Sequence, residues 1–169
     1  RKFSFSYLKK YSPSKQQLRT YLLKKYFNAP KLFNTKSELL KLIDLVITNL
    51  EKDNFISDKF YAESKTRSFI KRGYSINKIR NYLIGKGVNE NYIKGTISKI
   101  KTNNFDQDFF SAIKTCKKKR IGPCREEDNR PLFYKKDISI LARSGFNYET
   151  SKKVLDISRG DFERFLKLL

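Results

Sequence analysis

Two cysteines, three consecutive acids and no histidine are what this chain of 169 residues offers for reaction chemistry. Without histidine it lacks the usual general base and the Ser–His or Cys–His pair that activates a nucleophile. Cys116 and Cys124, with seven residues between them, supply too few soft ligands for zinc. Cys116 stands three residues after Ile113 on the apolar face of a predicted helix and belongs to the core. Cys124 follows Gly122-Pro123 in a loop, and both read as free thiols in a reducing cytoplasm. Glu126, Glu127 and Asp128 are consecutive on a loop instead of converging from separate elements, so they do not make a metal-dependent nuclease. The expectation is a non-enzyme with no metal and no cofactor.

The chemistry that remains is charge. Lys and Arg number 38 against 17 Asp and Glu, a net +21. Ten basic residues precede the first acid, Glu38, and from Ser57 to Lys101 there are eleven basic and three acidic residues. An AT-rich genome would raise Lys, but it would raise Glu as well, and acids stay scarce. Such a field attracts polyanions, and nucleic acid is the expected one, through non-specific phosphate contacts. A membrane surface fits less well, because the basic helices carry too few large apolar residues on an exposed face. The candidate contacts are Lys65, Arg67, Lys71 and Arg72 on one predicted helix, and Lys78 and Arg80 flanking the core position Ile79. Arg19 joins them as the internal counterpart of Arg80, and Lys117, Lys118, Lys119 and Arg120 form a run at a helix C-terminus. A helix dipole is met by one or two cations there, not four. Tyr74 and Tyr82 read as core or rim residues, not base-stacking platforms.

The elements that position these residues repeat. Ser14, Leu18, Arg19, Tyr21, Leu22, Leu23 and Lys25 match Ser75, Ile79, Arg80, Tyr82, Leu83, Ile84 and Lys86, all 61 apart. Ile47, Leu50, Asn54, Phe55, Asp58, Phe60 and Ala62 match Ile97, Ile100, Asn104, Phe105, Asp108, Phe110 and Ala112, now 50 apart, so the first copy holds about eleven inserted residues. A period near 50 predicts stacked modules that bury apolar faces against each other. Ser12 with Pro13 reads as a helix start, and Leu39, Ile43, Val46 and Leu50, widened by Leu40, Leu42 and Ile47, predict a third helix over Lys36–Asp53 buried on more than one side. Asp58 reads as the cap of a helix ending at Gly73, Ser75 as the next cap, and Asn89 opens another helix. Ser158 and Asp161 start a final helix carrying Phe162, Phe165, Leu166 and Leu169. The predicted fold is all-α: three tandem three-helix modules in an elongated, curved array, plus a C-terminal helix. Module 1 covers 1–56 with an inserted loop near 28–34, module 2 covers 57–104, and module 3 covers 105–169 with a long loop over 121–130. No apolar run reaches the roughly 20 residues of a membrane span. The start lacks the apolar stretch of a signal peptide, and methionine is absent even at position 1, which reads as a fragment missing its N-terminus.

This layout resembles the RecX family, regulators of the RecA recombinase. The resemblance runs over essentially the whole chain. It rests on Phe60-Tyr61-Ala62 through Lys71-Arg72-Gly73-Tyr74, and on Ile79-Arg80 through Leu83, Lys86-Gly87-Val88. Lys118-Lys119-Arg120-Ile121-Gly122-Pro123 and Leu141-Ala142-Arg143-Ser144-Gly145-Phe146 look like the alphaproteobacterial version. The departures are the insertion after Tyr26 and the loop around Cys124. The resemblance implies a non-enzymatic modulator that binds RecA and its DNA filament and dampens ATP hydrolysis, strand exchange and the coprotease activity behind the SOS response; a cytoplasmic monomer is the accompanying expectation. The alternative is a helix-turn-helix-like protein that binds DNA directly. It requires a polar reading face on each third helix, which 36–53 and 89–101 do not share.

Overall fold

The computed structural model describes residues 2–27, 35–101 and 106–169, and every regular element in them is helical. In chain order these are α1 (Lys2–Lys10), α2 (Lys15–Phe27), α3 (Lys36–Lys52), α4 (Asp58–Lys71) and α5 (Ile76–Gly85). Then follow α6 (Glu90–Lys101), α7 (Gln107–Lys119), α8 (Asn129–Arg143), α9 (Tyr148–Leu155) and α10 (Arg159–Lys167). A single 3-10 turn covers Gly122–Cys124. The fold class is therefore all-α. The inserted loop near 28–34 and the module boundary at 104–105 lie outside the described residues. The loop read over 121–130 is shorter than its composition suggests, since the 3-10 turn orders its start and α8 begins at Asn129. Among the described residues no helix is long and apolar enough to cross a membrane.

The chain forms two compact units. Unit 1 is Arg1–Ser64 with Leu83–Ile93, and unit 2 is Lys65–Tyr82 with Lys94–Leu169. The core of unit 1 sets Leu18 and Leu22 of α2 against Leu39, Ile43, Ile47 and Leu50 of α3, with Phe5, Tyr7 and Leu8 of α1 packed on them. The buried positions of α3 recur every three or four residues, which is one stripe of an amphipathic helix. Leu42 and Leu45 fall off that stripe and are 43% and 55% exposed, so α3 is buried on one side only. Unit 2 gathers Phe109, Ile113 and Cys116 of α7, Leu141 of α8, Val154 and Leu155 of α9 and Phe162 of α10.

A buried ion pair pins the turn after α7. The Asp137 carboxylate, with a side chain 1% exposed, accepts from Arg125 Nε at 2.8 Å, Arg125 Nη2 at 2.9 Å and the Gly122 amide at 2.9 Å. Arg125 lies 4.4 Å over the Phe133 ring. A charge this deep is tolerated because its oxygens are met bidentately. Both cysteines are free thiols, Cys116 buried and Cys124 half-buried. Burial raises both above the ordinary thiol range.

The repeat acquires its physical content in two sets of hydrogen bonds. In unit 1, Ser14 Oγ accepts from the Gln17 amide at 3.2 Å while Gln17 Oε1 accepts from the Ser14 amide at 3.1 Å, a reciprocal capping box on α2. The same hydroxyl donates to the Lys86 carbonyl at 2.7 Å, and the Lys15 amide donates to Asp58 Oδ1 at 2.9 Å. In unit 2, Ser75 Oγ accepts from the Lys78 amide at 3.1 Å and donates to the Ser144 carbonyl at 3.0 Å, and the Ile76 amide donates to Asp108 Oδ1 at 2.7 Å. The accepting carbonyls each precede a left-handed glycine, Gly87 at φ 70° and Gly145 at φ 90°. A Cβ on Gly87 would stand 2.6 Å from Gln16 Cβ, and one on Gly145 would meet Ser75 Oγ. Glycine is required at both places by conformation and by contact.

These bonds correct two local readings. Ser14, not Ser12 ahead of Pro13, caps α2, because only Ser14 reaches the third amide of the helix. Asp58 does not cap its own helix: Ser57 Oγ accepts from the Phe60 amide at 3.3 Å, while Asp58 caps the first amide of α2. Asp108 does the same for α5, and Asp106 caps α7 through the Phe109 amide at 3.1 Å.

Candidate polyanion-binding surface

The terminal basic run follows from how α7 is buried. Phe109, Ala112, Ile113 and Cys116 face the core, which leaves the last turn to project Lys117, Lys118 and Lys119 into solvent, all exposed. Arg120 ends the helix in the left-handed region, φ 54° and ψ 50°, and is exposed too. Its amide reaches back to the Cys116 and Lys117 carbonyls, and the Ile121 amide bonds to Cys116 O at 3.1 Å. That is a Schellman-type stop with arginine where glycine is usual.

Unit 2 brings a second set of cations to this helix. After Lys71 and Arg72, the Gly73 carbonyl accepts a buried hydrogen bond from Thr115 Oγ1 at 2.9 Å. The Gly73 backbone lies so close to α7 that an added Cβ would be 2.9 Å from Lys114 Cβ. Arg72 thus directly precedes the residue that packs on Lys114, and Lys118 is one turn further along the same face of α7, about 5–6 Å from Lys114 between Cβ atoms. Lys114 was not apparent as a site residue in the sequence, where nothing marks it as the meeting point of two helices. Lys71, Arg72 and Arg67 are exposed.

The remaining expected residues are placed differently. Lys78 holds its ammonium 4.7 Å from the Tyr74 ring, which itself packs on Phe69 at 5.0 Å. Tyr82 meets Phe69 edge-on at 4.7 Å, so both tyrosines are rim residues of a core. Lys65 and Arg80 already interact with other groups. Ten of the eleven expected residues lie in unit 2; Arg19 lies in unit 1 and is bidentate to Asp44, at 2.6 and 3.1 Å. The Arg19 hydrogen bond holds the Asp44 carboxyl below its ordinary range.

The electrostatics of unit 2 favour an anion at the α7 terminus. Four of its acids, Asp106, Asp137, Asp161 and Glu163, pair with Lys153, Arg125, Arg164 and Arg159, none of them in the run 117–120. Among the described residues no three Cys, Asp or Glu side chains converge as metal ligands, and Glu126, Glu127 and Asp128 are exposed just ahead of α8. The arrangement suits phosphate oxygens: several exposed cations on two helix ends, with backbone geometry fixed by buried hydrogen bonds.

No family model matches the chain. It is 30% identical over 156 residues to the regulatory protein RecX of Myxococcus xanthus, a match that spans 89% of this chain and 80% of that relative. The chain belongs to the RecX family. The RecX of Clostridium acetobutylicum is 26% identical over 153 residues, 90% of this chain and 65% of the relative. A crystal structure of a regulatory protein RecX superposes with a TM-score of 0.64 over 90% of this chain and 68% of that one, at 20% identity. That likeness shows that the RecX fold extends to this chain.

Proposed function

We propose that this chain is a non-enzymatic regulator of the RecA recombinase, and that it binds the RecA–DNA filament and lowers its ATPase, strand-exchange and coprotease activities. The observation that carries the reading is the cation cluster of unit 2, Lys117–Arg120 with Lys71, Arg72 and Lys114, set on a chain of the RecX family. DNA is held through phosphates without base readout, in the cytoplasm, by a monomer. The three modules 1–56, 57–104 and 105–169 act as linked contacts, so that individually weak contacts sum through high effective concentration.

The test is RecA's DNA-dependent ATPase with substoichiometric protein. Inhibition is expected, and no effect at low salt with folded protein refutes the proposal. Changing Lys117, Lys118, Lys119 and Arg120 together to Ala should weaken inhibition at unchanged helical content. It should also flatten the log–log salt dependence of duplex binding by up to roughly 3–4, since each phosphate contact contributes about 0.9. An unchanged slope would remove this cluster from the site. Footprinting supplies the opposing outcome: a defined operator protected without RecA would establish direct sequence-specific binding instead.

A further inference from the structure

Lys59-Phe60 and Phe109-Phe110 are repeat partners, 50 residues apart, yet they meet different surroundings. In unit 2, α10 lays Phe165 edge-on against both phenylalanines, with ring centroids 5.1 and 5.9 Å away and planes at 85° and 87°. The unit's own last helix fills that face with a flat ring. In unit 1 the buried Phe109 is replaced by the exposed Lys59, and Phe60 is 61% exposed. An apolar pair covered from within has become a cation beside an open ring.

Phe60 borders an open cleft of about 450 Å³ in unit 1, in the size range of small-ligand sites. Tyr11 and Phe55 share its lining, 57% and 55% exposed, over Leu8, Pro13 and Ile56. Two of these rings are braced: Phe5 meets Phe55 edge-on at 5.1 Å, and Tyr7 lies 4.9 Å from Tyr11. Lys9 and Lys10 directly precede Tyr11 and are exposed, as is Lys59. Of the nearby acids, Asp58 is 3% exposed and bonded to the Lys15 amide, and Glu51 holds the Lys15 ammonium at 2.9 Å. Near the cleft in sequence, Asp53 is exposed and Glu63, one turn after Lys59, is half-exposed, against the exposed lysines Lys9, Lys10, Lys52 and Lys59. The open rings and the surrounding excess of cations suit a flat, anionic occupant. A nucleotide strand with splayed bases meets both demands, because every base has a face to stack and each sugar carries a phosphate.

We propose that this cleft is a base-stacking site for single-stranded nucleic acid, with Tyr11, Phe55 and Phe60 taking bases and Lys9, Lys10 and Lys59 taking phosphates. It rests on the DNA-binding part of the function proposed above and adds rings to the phosphate contacts. Duplex DNA, whose bases are stacked internally, is not its ligand.

The chain has no tryptophan, so Phe60→Trp creates a single reporter at the site. Binding of an oligo-dT strand should persist and quench its emission; saturated binding with unchanged emission overturns the proposal. Phe60→Ala, at a position too exposed to carry the fold, should weaken oligo-dT binding roughly 5- to 150-fold, the range of one lost stack. Its salt slope should stay unchanged, and duplex affinity should stay within twofold. Phe60→Leu should not rescue it. Lys59→Gln should instead lower the single-strand salt slope by about 0.7. Equal losses for single and duplex strands, or full rescue by Leu, overturn the stacking site. Lost filament inhibition with intact oligo-dT binding also overturns it and marks the cleft as a protein-docking face. The quadruple variant at Lys117–Arg120 separates the two readings: a Phe60 effect without a cluster effect refutes the surface on unit 2 and leaves this site standing.

Discussion

Replacing Arg120 by glycine should separate stability from binding at the end of α7. Arg120 adopts φ 54° and ψ 50°, where a side chain crowds the following carbonyl at a cost of about 1–2 kcal/mol. Glycine escapes that cost but loses about 0.5–1 kcal/mol through its freer unfolded chain. The balance for Arg120→Gly is about 0 to +1.5 kcal/mol in favour of the fold. At about 2–4 °C per kcal/mol for a domain of this size, Tm should stay level or rise by up to about 6 °C. Lys119→Gly removes the same charge from a helical position, where glycine costs about 1 kcal/mol, so Tm should fall by about 2–4 °C. Thermal unfolding by circular dichroism measures both. Duplex binding across a salt series should show each variant losing about 0.9 in log–log slope. A fall in Tm of more than about 2 °C for Arg120→Gly would refute the conformational argument. Unchanged slopes in both variants would refute the contact with phosphate. If both expectations hold, the chain carries arginine at a glycine position because the charge is used.

Other expectations test the joints and the core. Asp58→Ala leaves the first amide of α2 unmet and should cost about 1–3 kcal/mol in urea unfolding, while Asp58→Asn, which keeps the acceptor, should cost much less. Burial raises the Asp58 carboxyl above its ordinary range despite the Lys15 amide and charge. The folded state therefore holds that proton more tightly than the unfolded chain. The resulting stabilisation is full below about 3.9 and lost as pH rises through the folded value. Wild type should accordingly gain stability relative to Asp58→Asn between pH 7 and pH 4, and a constant difference would contradict the burial argument. Arg125→Ala strands the Asp137 carboxylate with only the Gly122 amide and should cost about 3–5 kcal/mol. Arg125→Lys should recover only part of this, because an ammonium does not bridge both oxygens; equal midpoints for Lys and Arg would refute it. Asp44→Asn should release Arg19 and strengthen duplex binding at low salt, with a stability loss of only about 0.2–1 kcal/mol because the pair is exposed. Unchanged affinity would remove Arg19 from the candidate surface.

Much of the helical layout was legible because its signals are local. Leu39, Ile43 and Leu50 recur at helical spacing, Gly73 stops α4, and Ser158 caps α10 through the Asp161 amide at 3.0 Å. The capping readings that failed were those in which a local signal competed with a distant partner, while the wide apolar face of α3 failed because Leu42 meets no second layer and stays 43% exposed. Ser12-Pro13 is a good helix start on its own, yet the hydroxyl that caps α2 is Ser14, which also bonds to a carbonyl 72 residues away. Matching Ser14 with Ser75 pointed to the right residue, since a repeat preserves joints as well as cores.

For the binding surface the same division holds. Sequence alone determined the sign and density of charge, the run Lys117–Arg120 and the pairing of positions between copies, because these depend on residue type and order. Tertiary structure alone decided that Gly73, next to Lys71 and Arg72, packs against Lys114, that Arg19 is held by Asp44, and that Phe165 covers Phe110 while Phe60 stays open. Those facts depend on which helix faces are brought together across 25 to 60 residues of chain, and periodicity within one helix carries no record of the face it will meet.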